Sequence, residues 1–109
     1  MAQTHKLLGR ARPSAITVTT IYTAPASTKA MLSSIFVCNT SSVVDYLRLY
    51  VVPSGGSAAV GNAIYSDLPI AGNDSLLVNG VPVLEAGDFL AGYSLNGTLT
   101  YTVSGMEIS

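Results

Sequence analysis

Residues 29–39 read Lys-Ala-Met-Leu-Ser-Ser-Ile-Phe-Val-Cys-Asn, and this run constrains the fold more than any other. Turn formers bound it, with Pro25 before it and Asn39-Thr40-Ser41-Ser42 after it. A strand buried on one face alternates apolar and polar residues. From Ile35 to Cys38 both parities are apolar, so the expectation is a central strand with both faces at least partly covered. One small domain supplies a core for one face. The other face calls for a second copy or for another part of the chain. Within this strand, Cys38 is expected as a buried core thiol. Ser33 and Ser34 are expected as small residues where a neighbour comes close.

The remaining segments have the same character. Alternation predicts strands over 15–23, 44–52, 63–70 and 75–78, then short stretches over 81–83 and 89–95, and a final strand over 98–104. In 15–23, Ile16, Val18 and Tyr22 share a face. In 44–52, Leu47, Leu49 and Val51 form a core face, while Tyr46, Arg48 and Tyr50 form the other. Pro69 confines its segment to an edge or ends it there. The final strand puts Leu99, Tyr101 and Val103 inward and Thr98, Thr100, Thr102 and Ser104 outward. Asn79-Gly80 and Asn96-Gly97 read as hairpin signals, because Asn-Gly supplies positive φ angles. No segment reads as an amphipathic helix of three turns. Seven or eight short strands this closely spaced predict an all-β antiparallel sandwich, jelly-roll-like or immunoglobulin-like.

Charge divides the chain in two. Residues 1–12 carry Lys6, Arg10 and Arg12 and no acid, whereas the rest carries Lys29 and Arg48 against all six acids. Residues 1–14 lack strand or helix periodicity. They are expected as an extended basic arm with a Leu7-Leu8 anchor, on a sandwich domain spanning 15–109. Overall only 10% of residues are charged, well below the ~25% of typical domains, and 23 of 109 are Ser or Thr. Such a surface repels copies of itself weakly. The single cysteine excludes an internal disulfide framework. No secretory signal and no apolar run of about 20 residues is seen, so no membrane partner is expected.

Catalysis needs a nucleophile, a base and an orienting group. The only histidine, His5, lies in the arm, away from the expected scaffold, and one Cys and one His do not make a zinc site. Asp67, Asp74, Glu85 and Asp88 fall in or near turns, where carboxylates cap backbone amides. Their spacing matches no calcium loop. The loop over 53–62 is glycine-rich but lacks the lysine and following helix of a phosphate cradle. No enzyme, cofactor or metal is therefore expected, and the acidic body argues against nucleic acid. The expected contact residues are Lys6, Leu7, Leu8, Arg10 and Arg12 of the arm with Tyr46, Arg48 and Tyr50, since alternating Tyr and Arg are typical interface anchors; the alternative for that face is that the same side chains stack on one another at a solvated surface.

Several ordered elements carry a resemblance. They are Leu8-Gly9, Tyr22-Thr23-Ala24-Pro25-Ala26, Val37-Cys38-Asn39-Thr40-Ser41, Leu84-Glu85-Ala86-Gly87-Asp88 and Gly105-Met106-Glu107-Ile108. Together the chain resembles a group of small tailed-bacteriophage virion structural proteins. Gln often follows the Leu-Gly of that group, where this chain has Arg10. The resemblance implies a compact β-sandwich present in many copies of a phage particle assembled in the host cytoplasm. Its partners would be itself and another virion protein, the major capsid protein for a capsid decoration (cement) protein. Tail, baseplate or fibre components fit the resemblance too. A carbohydrate- or receptor-binding module is the reading from a different class.

Overall fold

A computed structural model describes residues 3–79 and 83–108. Nine strands are present among them: β1 (Gln3–Ala11), β2 (Thr19–Thr23), β3 (Lys29–Asn39), β4 (Asp45–Val52), β5 (Ala63–Ile70), β6 (Ser75–Asn79), β7 (Val83–Leu84), β8 (Phe89–Ser94) and β9 (Leu99–Ile108). They form two antiparallel sheets. One runs β1-β9-β3-β6, with β7 also pairing β3, and the other runs β2-β8-β4-β5. Apart from the short β7, this is the interleaved order of a two-sheet jelly roll, with four strands on each side. It selects between the two sandwich types that the strand pattern left open.

The core lies between the sheets. Ile35 and Val37 of β3 and Leu99, Tyr101 and Val103 of β9 meet Leu47 and Leu49 of β4 and Leu90 of β8 there. All are essentially inaccessible to water. Tyr101 extends across and donates its hydroxyl to the Tyr93 carbonyl at 2.7 Å, so the polar end of the ring is satisfied. The alternation expected of the last strand is present, and its pairing continues to Ile108.

Residues 3–11 depart from expectation. The segment read as an arm is an edge strand, with β1 pairing β9 from Gln3 opposite Ile108 to Ala11 opposite Tyr101. The register shifts between Leu7 and Gly9, a bulge that turns Leu8 toward the core. Gly9 then passes so close to the Ile21 carbonyl oxygen of β2 that a Cβ would collide with it. This approach closes the sandwich along one side. Local periodicity is weak because the strand is specified by a partner almost a hundred residues away.

The predicted strand over 15–23 shortens to β2. Ile16 stands at φ 58°, a conformation uncommon for a β-branched residue, and is 70% exposed, whereas Tyr22, expected on the same face, is buried. The Asn96-Gly97 turn is also different. Gly97 has φ 75°, but β8 and β9 belong to opposite sheets, so the turn carries the chain between layers instead of closing a hairpin. The Asn79-Gly80 signal lies outside the described residues beyond Asn79.

Buried polar groups pin this end of the sandwich. Asp45, at the start of β4, is fully buried. It accepts hydrogen bonds from the Ser94 hydroxyl (2.5 Å), the Thr98 hydroxyl (2.7 Å) and the amides of Tyr46 (2.7 Å), Asn96 (2.9 Å) and Thr98 (3.2 Å). Burial alone would push the carboxyl up. The Ser94 and Thr98 hydroxyls and the two amides of Asn96 and Tyr46 outweigh it and hold the group at about 2. Asn39, also buried, donates to the carbonyls of Val43 and Ile70 and accepts from the Thr98 hydroxyl. Strand ends from both sheets thus meet in one satisfied network.

Candidate assembly surface

Each sheet has an inner face on the core and an outer face, and the two outer faces differ. On the four-stranded sheet, Tyr46, Arg48, Tyr50 and Val52 of β4 point outward beside Phe89, Ala91 and Tyr93 of β8. Tyr50 was expected at an open surface. It is only 8% exposed, and Val52 is wholly buried. Both pack with Ala91, Phe89, Ala58 and Ala63 in a second cluster. Ala58 belongs to the glycine-rich segment 53–62, which folds back over the sheet. Its turn is held by the Asn62 side chain, which accepts from the Ala59 amide and donates to the Ser57 carbonyl. The segment expected as a glycine-rich loop is therefore a cover.

Arg48 is likewise occupied within the chain. Its guanidinium donates to both Asp67 carboxylate oxygens, at 2.7 and 3.3 Å, and lies 4.4 Å from the Tyr93 ring centroid. Asp67 reaches it from a bulge in β5, where φ is 53° and two residues oppose one on β4. The carboxylate partner moves the guanidinium further above its already high value. Tyr46 alone of the expected triplet stays half-exposed without such engagement.

The outer face of the five-stranded sheet is open. Met31 is 44% exposed, Phe36 48% and Leu77 46%. Val83 beside Met31 and Leu7 on β1 are exposed to a similar extent. Register places these side chains in rows across the strands. Leu77, Phe36, Thr102 and Arg10 form one row, and Val83, Met31 and Met106 another. Cys38 falls on this face between Ser75 and Thr100, half-buried. It is not core filling, because the parity that buries Val37 and Asn39 turns Cys38 outward. Ser33 sits at a register shift and donates to the Ser104 carbonyl at 3.1 Å.

The sequence-predicted contacts therefore separate. Leu7 and Arg10 lie on or beside the open face. Leu8 packs inward. Lys6 turns to the gap between the sheets, where it pairs with Glu107 at 2.7 Å, and Glu107 also accepts from the Tyr22 hydroxyl. Lys6 and Tyr22 together hold the Glu107 carboxyl below its usual range. Arg12 donates to the Thr40 hydroxyl. Tyr46, Arg48 and Tyr50 are on the opposite sheet. Met31, Phe36, Leu77 and Val83 were not singled out as a surface, although the double apolar parity of β3 pointed to one.

Among the described residues no group of three or more His, Cys, Asp or Glu side chains is placed to hold a metal. Asp88 is engaged by the amides of Ser54 and Glu85. No described helix is long and apolar enough to cross a membrane. No protein-family model matches the chain, and no curated protein matches it.

Proposed function

We propose that this chain is a non-enzymatic structural protein of a bacteriophage particle, a decoration (cement) protein bound in many copies on the head shell. The observation that carries the reading is the open apolar face of the five-stranded sheet. Three large side chains of β3 and β6, with Val83 and Leu7 beside them, stand half in water on the outer face of this sheet. Patches of this kind mark contact with another macromolecule. The jelly-roll order adds support at the level of fold analogy, since viral capsid domains use the same architecture. The resemblance of the ordered sequence elements points the same way.

In this reading the chain binds itself and the major capsid protein. Leu7 and Arg10 contribute from the edge strand, not from a free arm. Arg10 beside the apolar face suits an acidic neighbour. Many weak contacts repeated over a shell stabilise it through multiplicity. A carbohydrate-binding module would present open aromatic rings in a groove. Here Tyr50 is covered and Tyr93 lies under Arg48.

Imaging of purified particles, combined with quantitative mass spectrometry, tests the proposal. The expected result is density on the head exterior and a copy number comparable with that of the major capsid protein. A low copy number with density at the tail would replace it with a tail, baseplate or fibre role. Specific signal on a glycan array from the isolated chain would favour receptor binding.

A further inference from the structure

We infer that the occupant of the open face is a second copy of this chain, packed sheet against sheet about a two-fold axis that runs along the strands between β3 and β9. The inference names a partner for the surface on which the proposed function rests.

The open face is not level. Its β3, β6 and β7 half is raised by Met31, Phe36, Leu77 and Val83. Its β9 half is lower: Thr100, Thr102 and Ser104 turn outward and half-buried along its middle, and the larger side chains on that half, Met106 and Leu7 of β1, stand toward its end and edge. The two halves lie side by side in register, Phe36 beside Thr102 and Cys38 beside Thr100. A two-fold axis along the strand direction exchanges these halves between copies. The ridge of each copy then lies over the hydroxyl stripe of the other. Such an interface is isologous and closes on itself. An in-plane axis across the strands would set ridge on ridge and leave the stripes apart.

The face is also neutral at its centre. Among the described side chains, the centre of this face carries no charged group. Arg10 stands at one edge, and Lys29 at one end is paired with Glu85 at 3.5 Å. A neutral face meets its own copy without like charges at the centre. A strongly charged partner would lose hydration there and gain no counter-charge.

Its area is sufficient as well. Four strands at ~4.8 Å spacing and about eight residues at ~3.3 Å rise give a projected face of roughly 20 by 26 Å, about 500 Å². With side-chain relief this reaches the lower end of what a specific interface buries per partner, about 600 Å². Stacked sheets prefer strand directions about 30° apart, and a two-fold axis inclined by about half that angle to the strands sets it while still exchanging the two halves.

The experiment uses the full chain in solution. Sedimentation equilibrium over a concentration series is expected to show a reversible monomer–dimer equilibrium. Phe36→Lys is expected to weaken it at least tenfold, the scale of one central anchor lost. Arg48→Glu, on the opposite sheet, is expected to leave it unchanged. Cys38 supplies an independent readout, because its alkylation by a maleimide should slow as protein concentration rises, and should not in Phe36→Lys. Circular dichroism verifies that each variant folds, and Phe36→Ser replaces the lysine variant if it does not. A wild-type chain that remains a monomer up to about 1 mM overturns the inference. So does a dimer whose strength and Cys38 reactivity ignore substitution at Phe36. Either result leaves the proposed function standing if particles carry the protein on their heads. Absence from particles, with the dimer intact, would remove that function and keep the inference.

Discussion

The two outer faces of this sandwich begin from similar chemistry and end differently. β4 presents Tyr46, Arg48, Tyr50 and Val52 outward, and β3 presents Met31, Phe36 and Cys38. On the four-stranded sheet the chain provides its own cover. Segment 53–62 folds back so that Ala58 seals Tyr50 and Val52, and Asp67 reaches from its bulge to occupy Arg48. On the five-stranded sheet no described segment does the same, and Phe36 keeps 48% of its surface in water. The contrast teaches that residue type alone does not identify a contact surface. Tyr and Arg dominate interface energetics in general, yet here they are used internally. The plainer Met, Phe, Leu and Val are what remain available.

Breaking the polar network that joins the layers should have the largest effect. Asp45→Ala removes the acceptor for five hydrogen bonds and leaves buried donors without partners. It is expected to cost about 4 kcal/mol, read by urea denaturation. The same group sets an acid limit. Its carboxyl is held at about 2 in the folded chain, against about 3.9 when unfolded. A lowered folded-state value means that its stabilisation is complete above about pH 4 and is lost as pH falls toward 2. A thermal-melting series should show that loss, and Asp45→Asn should flatten it.

The next test addresses the faces directly. Tyr50→Ala should destabilise the isolated chain by about 3 kcal/mol, as for a buried aromatic ring. Equal tolerance of Tyr50→Ala and Phe36→Ser would show that segment 53–62 is not a cover.

Arg48→Glu follows with a smaller effect. It breaks an ion pair that is partly exposed on both sides, with side-chain exposures of 36% and 56%, and removes the contact with Tyr93. The cost should be about 1 kcal/mol in a denaturation series. The sequence alone predicts weakened self-association for this variant, whereas the geometry predicts none.

Phe36→Ser should change the stability of the dilute monomer least, within about 0.5 kcal/mol. A loss of several kcal/mol would mean that the ring is packed and the face is not open.

Legibility in the sequence followed the range of the interactions. β3 could be bounded at Lys29 and Asn39 because turn formers and an apolar run coincide there. The alternation of β9 was equally plain, since Leu99, Tyr101 and Val103 each answer to the same core. β1 was hidden. Its residues have little strand pattern of their own, and what orders them is pairing with the last strand together with the close approach of Gly9 to Ile21. The burial of Tyr50 was hidden for a related reason: its cover comes from a loop whose composition says only that it bends. Asp45 gave no signal, because a carboxylate at a strand start is ordinary until its five donors are known. The candidate surface was half legible. The doubled parity of Ile35 to Cys38 indicated a surplus face, but which neighbours joined it depended on strand order.

The pairing of β1 with β9 also orders events during synthesis. β1 leaves the ribosome well before β9, its hydrogen-bonding partner, has been made. At about 5–20 residues per second, the delay is roughly 5–20 seconds. Through that interval Leu7 and Leu8 must stay in water without pairing with a stranger. Lys6, Arg10 and Arg12 keep the waiting segment hydrated and charged, which is how sequences protect an unpaired strand from aggregation. The positive charge at the start of the chain is thus of use before the fold exists, as a safeguard for a strand that has to wait.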